Sequence, residues 1–332
     1  MFEVKLNAPL DVEWEITNSC NLRCRHCYVA AAEKLERELD TNEALKLIGE
    51  LDKIGVTDIT ISGGEPFLRR DLWQIIEEIK SRRIPFIIYT NATLLNEGKI
   101  KKLADSNIKA ISVSLNGATA KAHNFVQNAD TFKKVLNTIR KLNDYGVKVQ
   151  VLFTLMKVNA NEFDELISLS RRLNVESICI YPFYPQGRGR ENLDHLALDA
   201  KSTMGLLKKA VEFASPPPHI YVGGCLSQRF TPRQKHSLIR GNPCGKLTAI
   251  ITPDGHLRPC NFLPYRTRYT IREKSIYELW NEPIFKEVRD WRKKMVQKLN
   301  CQKCELLPLC MGVCLSMHSI MKNKKKGEPL PS

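Results

Sequence analysis

Cys20, Cys24 and Cys27 stand in the run Thr-Asn-Ser-Cys-Asn-Leu-Arg-Cys-Arg-His-Cys-Tyr, spaced C-x3-C-x2-C, directly after a short apolar strand pattern. Three thiolates this close on one loop can hold three irons of a cubane [4Fe–4S] cluster, and no fourth cysteine is near enough in sequence to close it. Cluster-holding runs ordinarily supply four thiolates, so a set of three leaves one iron open to another ligand. Open metal positions are where metal sites do chemistry. The competing reading is structural zinc, although zinc would more readily use two C-x2-C pairs. About forty residues on, the β-branched run Ile59-Thr60-Ile61 leads into Ser62-Gly63-Gly64-Glu65-Pro66. By itself, that Gly-Gly-Glu-Pro could be a plain turn.

These residues must be positioned by the elements around them. Apolar, β-branched segments fall near Val12–Thr17, Asp58–Ser62, Phe86–Thr90, Ala110–Leu115, Lys148–Leu155 and Ser177–Tyr181. Between them the period lengthens to that of a helix at Glu43–Ile54, Leu72–Ser81, Gly98–Ser106, Thr131–Tyr145 and Glu162–Leu173. Asp40-Thr41-Asn42-Glu43 and Arg70-Asp71 offer N-caps. Six β–α repeats imply a parallel sheet, because parallel neighbours need crossover helices. Side chains alternate along a strand, so Ser112, Ser114 and Asn116 share one face at the end of the fourth. Thr154 ends the fifth strand, and Cys179 within the sixth reads as a buried small hydrophobe.

After a helix over about residues 201–213, Ser215-Pro216-Pro217-Pro218 reads as a stiff connector. The expected division is a barrel over 1–214, a cysteine-rich α+β domain over 215–320 and a basic flexible tail over 321–332. The second part holds Cys225, Cys244, Cys260, Cys301, Cys304, Cys310 and Cys314. Leu247–Thr252 and His256–Pro259 flank Pro253-Asp254-Gly255, a hairpin signal that brackets Cys244 and Cys260 about one turn. The last four cysteines run C-x2-C-x5-C-x3-C, which alone could bind zinc.

Eleven cysteines in 332 residues, with no basic-then-apolar start, point to metal ligands in a reducing compartment rather than disulfides. No window approaches the roughly 18 apolar residues of a membrane span, and the expected location is the cytoplasm. The net charge of +15 favours anionic partners, such as a carboxylate-rich small molecule, an acidic peptide, a phosphorylated cofactor or a nucleic acid. The bland alternative is a solvated lysine-rich surface of the kind thermophiles carry.

The cysteine loop resembles the signature of the radical S-adenosylmethionine (SAM) superfamily, and Gly63-Gly64-Glu65-Pro66 resembles that family's GGEP motif. The resemblance implies a six-stranded partial (β/α)6 barrel of TIM type with its site at the C-terminal strand ends. It implies a [4Fe–4S] cluster on Cys20, Cys24 and Cys27 whose open iron is chelated by SAM. One electron then cleaves the sulfonium to a 5′-deoxyadenosyl radical that takes hydrogen from a substrate. His26 is placed beside the adenine, and the Gly-Gly-Glu-Pro residues at the methionine amino group, where glycine permits close approach and a carboxylate suits an ammonium. Thr90-Asn91-Ala92-Thr93 is similar to the family's Thr-Asn-Gly run. Asn91, Ser114, Asn116 and Thr154 become candidate SAM contacts, though the family often has Asp at the place of Asn116. Tyr181–Arg190 is like its Pro-x-Gly-Arg stretch, giving Arg188 an anionic group of SAM or substrate, against the alternative of a surface turn.

Cys244, Gly255 and Cys260 with the C-terminal run resemble the SPASM extension, which holds one or two auxiliary [4Fe–4S] clusters. One set is complete with Cys225, Cys244, Cys260 and Cys314, although Cys225 stands farther from Cys244 than the usual pattern. The other has Cys301, Cys304 and Cys310, with no cysteine after Cys314; an open iron, His318 or absence of that cluster are the alternatives. The expectation is therefore a radical SAM oxidoreductase that draws electrons from a ferredoxin or flavodoxin. Such enzymes that act on leader peptides often carry an added N-terminal domain, whereas here the first strand begins by about residue 12. This favours maturation of a cofactor, a haem precursor or metal-pterin, over modification of a peptide or protein. A non-enzymatic zinc or nucleic-acid-binding module is the alternative of another class. No catalytic acid or base is assignable from the sequence.

Overall fold

The structure, a computed structural model, describes residues 6–212, 217–223, 244–263 and 265–298. Cys225, Cys301, Cys304, Cys310, Cys314, His318 and the tail 321–332 lie outside the described residues. Six strands, β1 (Asp11–Thr17), β2 (Asp58–Gly63), β3 (Phe86–Thr90), β4 (Ala110–Ser114), β5 (Val149–Leu155) and β6 (Ser177–Pro182), pair in parallel in chain order. The crossovers are α1 (Thr41–Lys53), α2 (Leu72–Ser81), α3 (Glu97–Asp105), the pair α4 (Ala120–Gln127) and α5 (Phe132–Asp144), and α6 (Phe163–Arg172). This is the expected partial (β/α)6 barrel. Helix α4 is an addition, capped by Thr119, whose hydroxyl accepts from Ala122 N–H, and stopped by Asn128 at φ +55°.

Strand β1 shows why the sheet folds this way. Val12, Trp14 and Ile16 are at most 2% exposed and belong to the main core with Leu47, Ile48 and Leu51 of α1. The alternate residues Asp11, Glu13, Glu15 and Thr17 take the opposite, barrel-interior face, as the two-residue strand period requires. Asp40 closes a capping box with Glu43 at the start of α1. Asp71 occupies the N-cap position of α2 but makes no capping bond. Its carboxylate instead accepts from Arg69 Nε at 2.8 Å and from the Thr41 hydroxyl at 2.7 Å, because the arginine is the stronger donor within reach.

The sheet continues beyond the six strands to nine, in the order β7-β6-β5-β4-β3-β2-β1-β8-β9. Following the short helices α7 (Arg188–Glu191) and α8 (Leu193–Leu196) and the longer α9 (Ala200–Glu212), β7 (His219–Val222) joins β6 in parallel. The expected hairpin forms as β8 (Thr248–Ile251) and β9 (Leu257–Arg258), turning through Gly255 at φ +88°. Strand β8 lies parallel to β1, with Asp11 opposite Thr248 and Trp14 opposite Ile251. The hairpin is thus seated on the barrel sheet, followed by α10 (Ile276–Trp280) and α11 (Pro283–Lys298).

Arg258 reaches from the hairpin to Glu15 in a buried ion pair, with side chains 16% and 5% exposed. Burial pushes the Glu15 carboxyl up to about 7 even with that guanidinium opposing it. Replacing Arg258 with Met leaves Glu15 unpaired, and we expect a loss of about 3 kcal/mol in chemical denaturation. The loss should be larger above pH 7 than below it, where Glu15 takes up a proton instead of staying charged.

Candidate active site

The cysteine loop leaves β1 at Thr17 and is pinned from four directions. It closes on itself through Cys20 N–H to Ala32 C=O at 2.8 Å and Ala32 N–H to Asn18 C=O at 3.0 Å. From the end of β2, Gly64 N–H donates to Thr17 C=O and Glu65 N–H to Ser19 C=O, both at 2.7 Å. From the exit of β6, Arg188 donates its backbone N–H to Cys27 C=O, its Nε to Cys24 C=O and its Nη1 to Ala31 C=O, each at 3.0 Å. From α4, Val126 C=O accepts from Arg25 N–H at 2.9 Å. A loop with this many carbonyls engaged holds its side chains in one arrangement.

One cavity at the C-terminal strand ends gathers most of the expected site residues. Cys20, Cys24, His26 and Cys27 line it together with Gly63, Gly64, Asn91, Ser114, Asn116, Thr154 and Arg188. Several are already engaged. The Asn116 Oδ1 accepts from Thr154 N–H at 2.9 Å, and Asn91 Nδ2 donates to Asn21 Oδ1 at 3.0 Å. Arg188, expected to meet an anion, spends two of its guanidinium nitrogens on the loop carbonyls because these lie directly against it.

Glu65 and Pro66 are not brought to the cavity wall. Glu65 is 0% exposed and accepts from Thr90 Oγ1 and Asn91 N–H at 2.8 Å and from Phe67 N–H at 3.3 Å. The carboxylate expected to face an ammonium is turned inward by these donors and braces the ends of β2 and β3. Burial pushes its carboxyl up to about 7, with the Asn91, Thr90 and Phe67 donors pulling the other way. A raised folded value means that its contribution to stability is full below the ordinary 4.5 and is lost as pH rises through about 7. Glu65→Gln should flatten that part of the stability profile, read as melting temperature between pH 4.5 and 7.

The cavity also contains residues that sequence reasoning missed: Glu13, Tyr28, Tyr89, Gln127, Tyr181, Phe183, Tyr184, Asn261 and Phe262. The inward phase of β1, β3 and β6 marks Glu13, Tyr89 and Tyr181 in hindsight. Nothing local marks Gln127 or Asn261. Glu13 accepts from Ser62 Oγ at 2.8 Å and from Asn261 Nδ2 at 2.6 Å, so the segment just after β9 reaches into the barrel mouth. Phe262 stacks on Tyr184 with centroids 3.7 Å apart and meets Tyr28 edge-on at 5.3 Å. Cys260, two residues before Phe262, is buried in a small cluster with Leu263 and Val288, against which Cys244 and Phe262 pack.

The donor set fits an iron–sulfur cluster with a nucleotide beside it. Burial, and then the neighbouring thiols, push the Cys24 thiol far above its usual range, and burial raises Cys20 likewise. Such thiols stay neutral unless a metal compensates their charge. Among the described residues no three His, Cys, Asp or Glu side chains converge on a single ion; a cubane takes each thiolate at a separate corner. Burial and the nearby Arg188 lower His26 to about 4, so its ring is neutral, and its Nδ1 is buried without a partner. An orphaned imidazole nitrogen in a cavity wall is the kind of group a heterocyclic ligand satisfies.

A parallel barrel with three cysteines and a glycine turn converging at its strand ends defines an enzyme of metal-cluster and nucleotide chemistry. The model of the radical SAM superfamily matches residues 14–170, and that of the iron–sulfur cluster-binding SPASM domain matches residues 244–305. The chain belongs to the radical SAM superfamily and carries a SPASM extension, and it is an enzyme that uses SAM as its radical source. Its cofactors are a [4Fe–4S] cluster with SAM and the iron–sulfur content of the extension. It is 28% identical over 324 residues to the AdoMet-dependent heme synthase of Methanosarcina barkeri, covering 92% of this chain and 91% of that one. It is 25% identical to the mycofactocin maturase MftC of Mycobacterium ulcerans, covering 95% and 85%. The structure of SuiB from Streptococcus suis bound to S-adenosylmethionine shares the fold, with a TM-score of 0.78 at 18% identity over 96% of this chain and 75% of that one. Among the described residues no helix is long and apolar enough to cross a membrane.

Proposed function

We propose that this enzyme acts in the maturation of a tetrapyrrole cofactor, abstracting hydrogen from a flat, carboxylate-bearing haem precursor. The observation that carries this reading is the aromatic wall of Tyr28, Phe183, Tyr184 and Phe262 on the same cavity as the three cysteines. Aromatic faces suit a conjugated macrocycle, and the net charge of +15 suits its carboxylates. The near-full-length likeness to a heme synthase supports it from a second direction.

Cys20, Cys24 and Cys27 would hold the cluster, with SAM on its fourth iron against His26, Gly63, Gly64, Asn91, Ser114, Asn116 and Thr154. When bound, cluster and SAM supply the electron and the 5′-deoxyadenosyl radical. The chain's part is to fix the loop through Arg188, hold the reacting carbon in the cavity and exclude water. Cys244 and Cys260, with Cys225 and Cys314 beyond the described residues, would hold an auxiliary cluster, and Cys301, Cys304 and Cys310 a second. Asn261 and Phe262 span the short stretch from Cys260 to the cavity, a route for the electron left on the product radical. A small, acidic electron donor such as a flavodoxin or ferredoxin would suit the basic surface, and the cytoplasm is the proposed location.

The test is anaerobic incubation of the iron-loaded enzyme with SAM, dithionite and iron coproporphyrin III, read by mass spectrometry. Tetrapyrrole-dependent 5′-deoxyadenosine and a decarboxylated porphyrin are expected. A tetrapyrrole recovered unchanged, with peptide-dependent turnover in its place, would overturn the reading in favour of peptide modification, to which the likeness to MftC points.

A further inference from the structure

Gln127 is the last residue of α4, 1% exposed, and its carboxamide lies in the cavity wall against the cysteine loop. The Cys24 Sγ stands 2.7 Å from Gln127 Oε1, across 103 residues of sequence. The helix end that carries it cannot drift from the loop. Val126 C=O holds Arg25 N–H at 2.9 Å, Phe125 C=O accepts from the Arg25 guanidinium, and Asn128 ends the helix at φ +55°. An amide in so buried a place is costly unless a polar group faces it.

As a free thiol, Cys24 donates to that oxygen. As a ligand of iron it has no proton to give, and the carboxamide, whose two ends are interchanged by a half-turn, can present Nε2–H to the sulfur. We infer that Gln127 is a positioning residue that donates an N–H···S hydrogen bond to the iron-bound Cys24 thiolate and thereby raises the cluster's reduction potential. Hydrogen bonds to cluster sulfurs favour the more negative, reduced state, and a neutral amide gives this help without adding a charge to the SAM site. An outer partner of this kind also fixes the ligand's orientation. The inference rests on the reading of Cys20, Cys24 and Cys27 as cluster ligands.

The experiment compares the reconstituted full chain with its Gln127→Leu and Gln127→Met variants by redox titration followed by electron paramagnetic resonance. The relevant cluster is the one whose signal changes on adding SAM. In both variants its potential should move to more negative values at unchanged iron content, and a solvent-exchangeable proton coupling present in the parent should disappear. Methionine keeps the length of glutamine, so it supplies the reading if leucine impairs folding. An unchanged potential, or a change confined to SAM affinity, overturns the inference. A Cys24→Ala variant that kept the SAM-responsive signal would instead overturn the ligand assignment beneath it.

Discussion

Alanine at Cys24 eliminates 5′-deoxyadenosine formation while the fold survives. Burial, and then the two neighbouring cysteines, push the Cys24 thiol far above its usual range, so its sulfur is suited to a metal rather than to solvent. Once its sulfur is gone, two thiolates face a four-iron cluster, and the reconstituted chain should bind about four fewer irons. The carbonyls that hold the loop are backbone atoms, so the Arg188 and Gly64 contacts persist and the far-ultraviolet circular dichroism stays that of the parent. The loss in rate should exceed the 10–100-fold typical of removing an outer-shell partner, measured as nucleoside formed per chain under dithionite. Cys20 and Cys27 should behave alike. Cys179 provides the contrast: it is buried in β6, and burial pushes its thiol up to about 12 against the opposing hydrogen bond with Tyr181, so Cys179→Ala should keep the cluster and the turnover. A structural zinc loop would behave differently, losing fold and metal together without any nucleoside to lose.

Much of this arrangement was legible in the chain because it depends on local rules. The period of two in Asp11–Thr17 and the period of 3.6 in the helix carrying Leu47, Ile48 and Leu51 are enough to order the barrel. Cys20, Cys24 and Cys27 announce themselves through spacing, and the Pro253-Asp254-Gly255 turn through its residue types. Other features depend on contacts between distant segments. The pairing of β8 with β1 joins residues more than 230 apart, Asp11 with Thr248, and neither strand's composition names its partner. Gln127 looks like an ordinary helix-end polar residue until Cys24 is brought to it. Helix α4 is only eight residues long, too short for its period to stand out, although its Thr119 cap and Asn128 stop are the usual signals. Asp71 and Glu65 show the converse. The Asp71 carboxylate accepts from Arg69 and from Thr41 of α1, and that of Glu65 from Thr90 and Asn91 at the end of β3, partners that no local pattern around either residue announces.

Gly64 is the second position where a small change should be decisive, and for a reason the sequence motif did not reveal. The motif implies a glycine that admits a ligand, and the structure adds a close approach to the chain itself. A Cβ on Gly64 would stand 2.0 Å from Ser19 O, 2.6 Å from Ser19 C and 2.9 Å from Asn18 O, all backbone atoms immediately before Cys20. No side-chain rotation relieves such a contact, so the end of β1 has to move away from β2. That displacement breaks the bonds from Gly64 N–H to Thr17 and from Glu65 N–H to Ser19, both 2.7 Å, and carries Cys20 off its place. Gly64→Ala should therefore cost about 3–5 kcal/mol, at the upper end for point substitutions. Iron retention and 5′-deoxyadenosine formation should fall with it. Gly205 in α9 meets nothing within 4 Å of its Cβ position, and Gly205→Ala should stabilise by about 0.5–1 kcal/mol, as expected inside a helix. The pair separates two meanings of glycine: melting curves that rise for Gly205→Ala and collapse for Gly64→Ala would show that the glycine turn is the clamp that sets the cysteine loop. If Gly64→Ala instead melted like the parent and lost only SAM affinity, the glycine would serve the ligand alone.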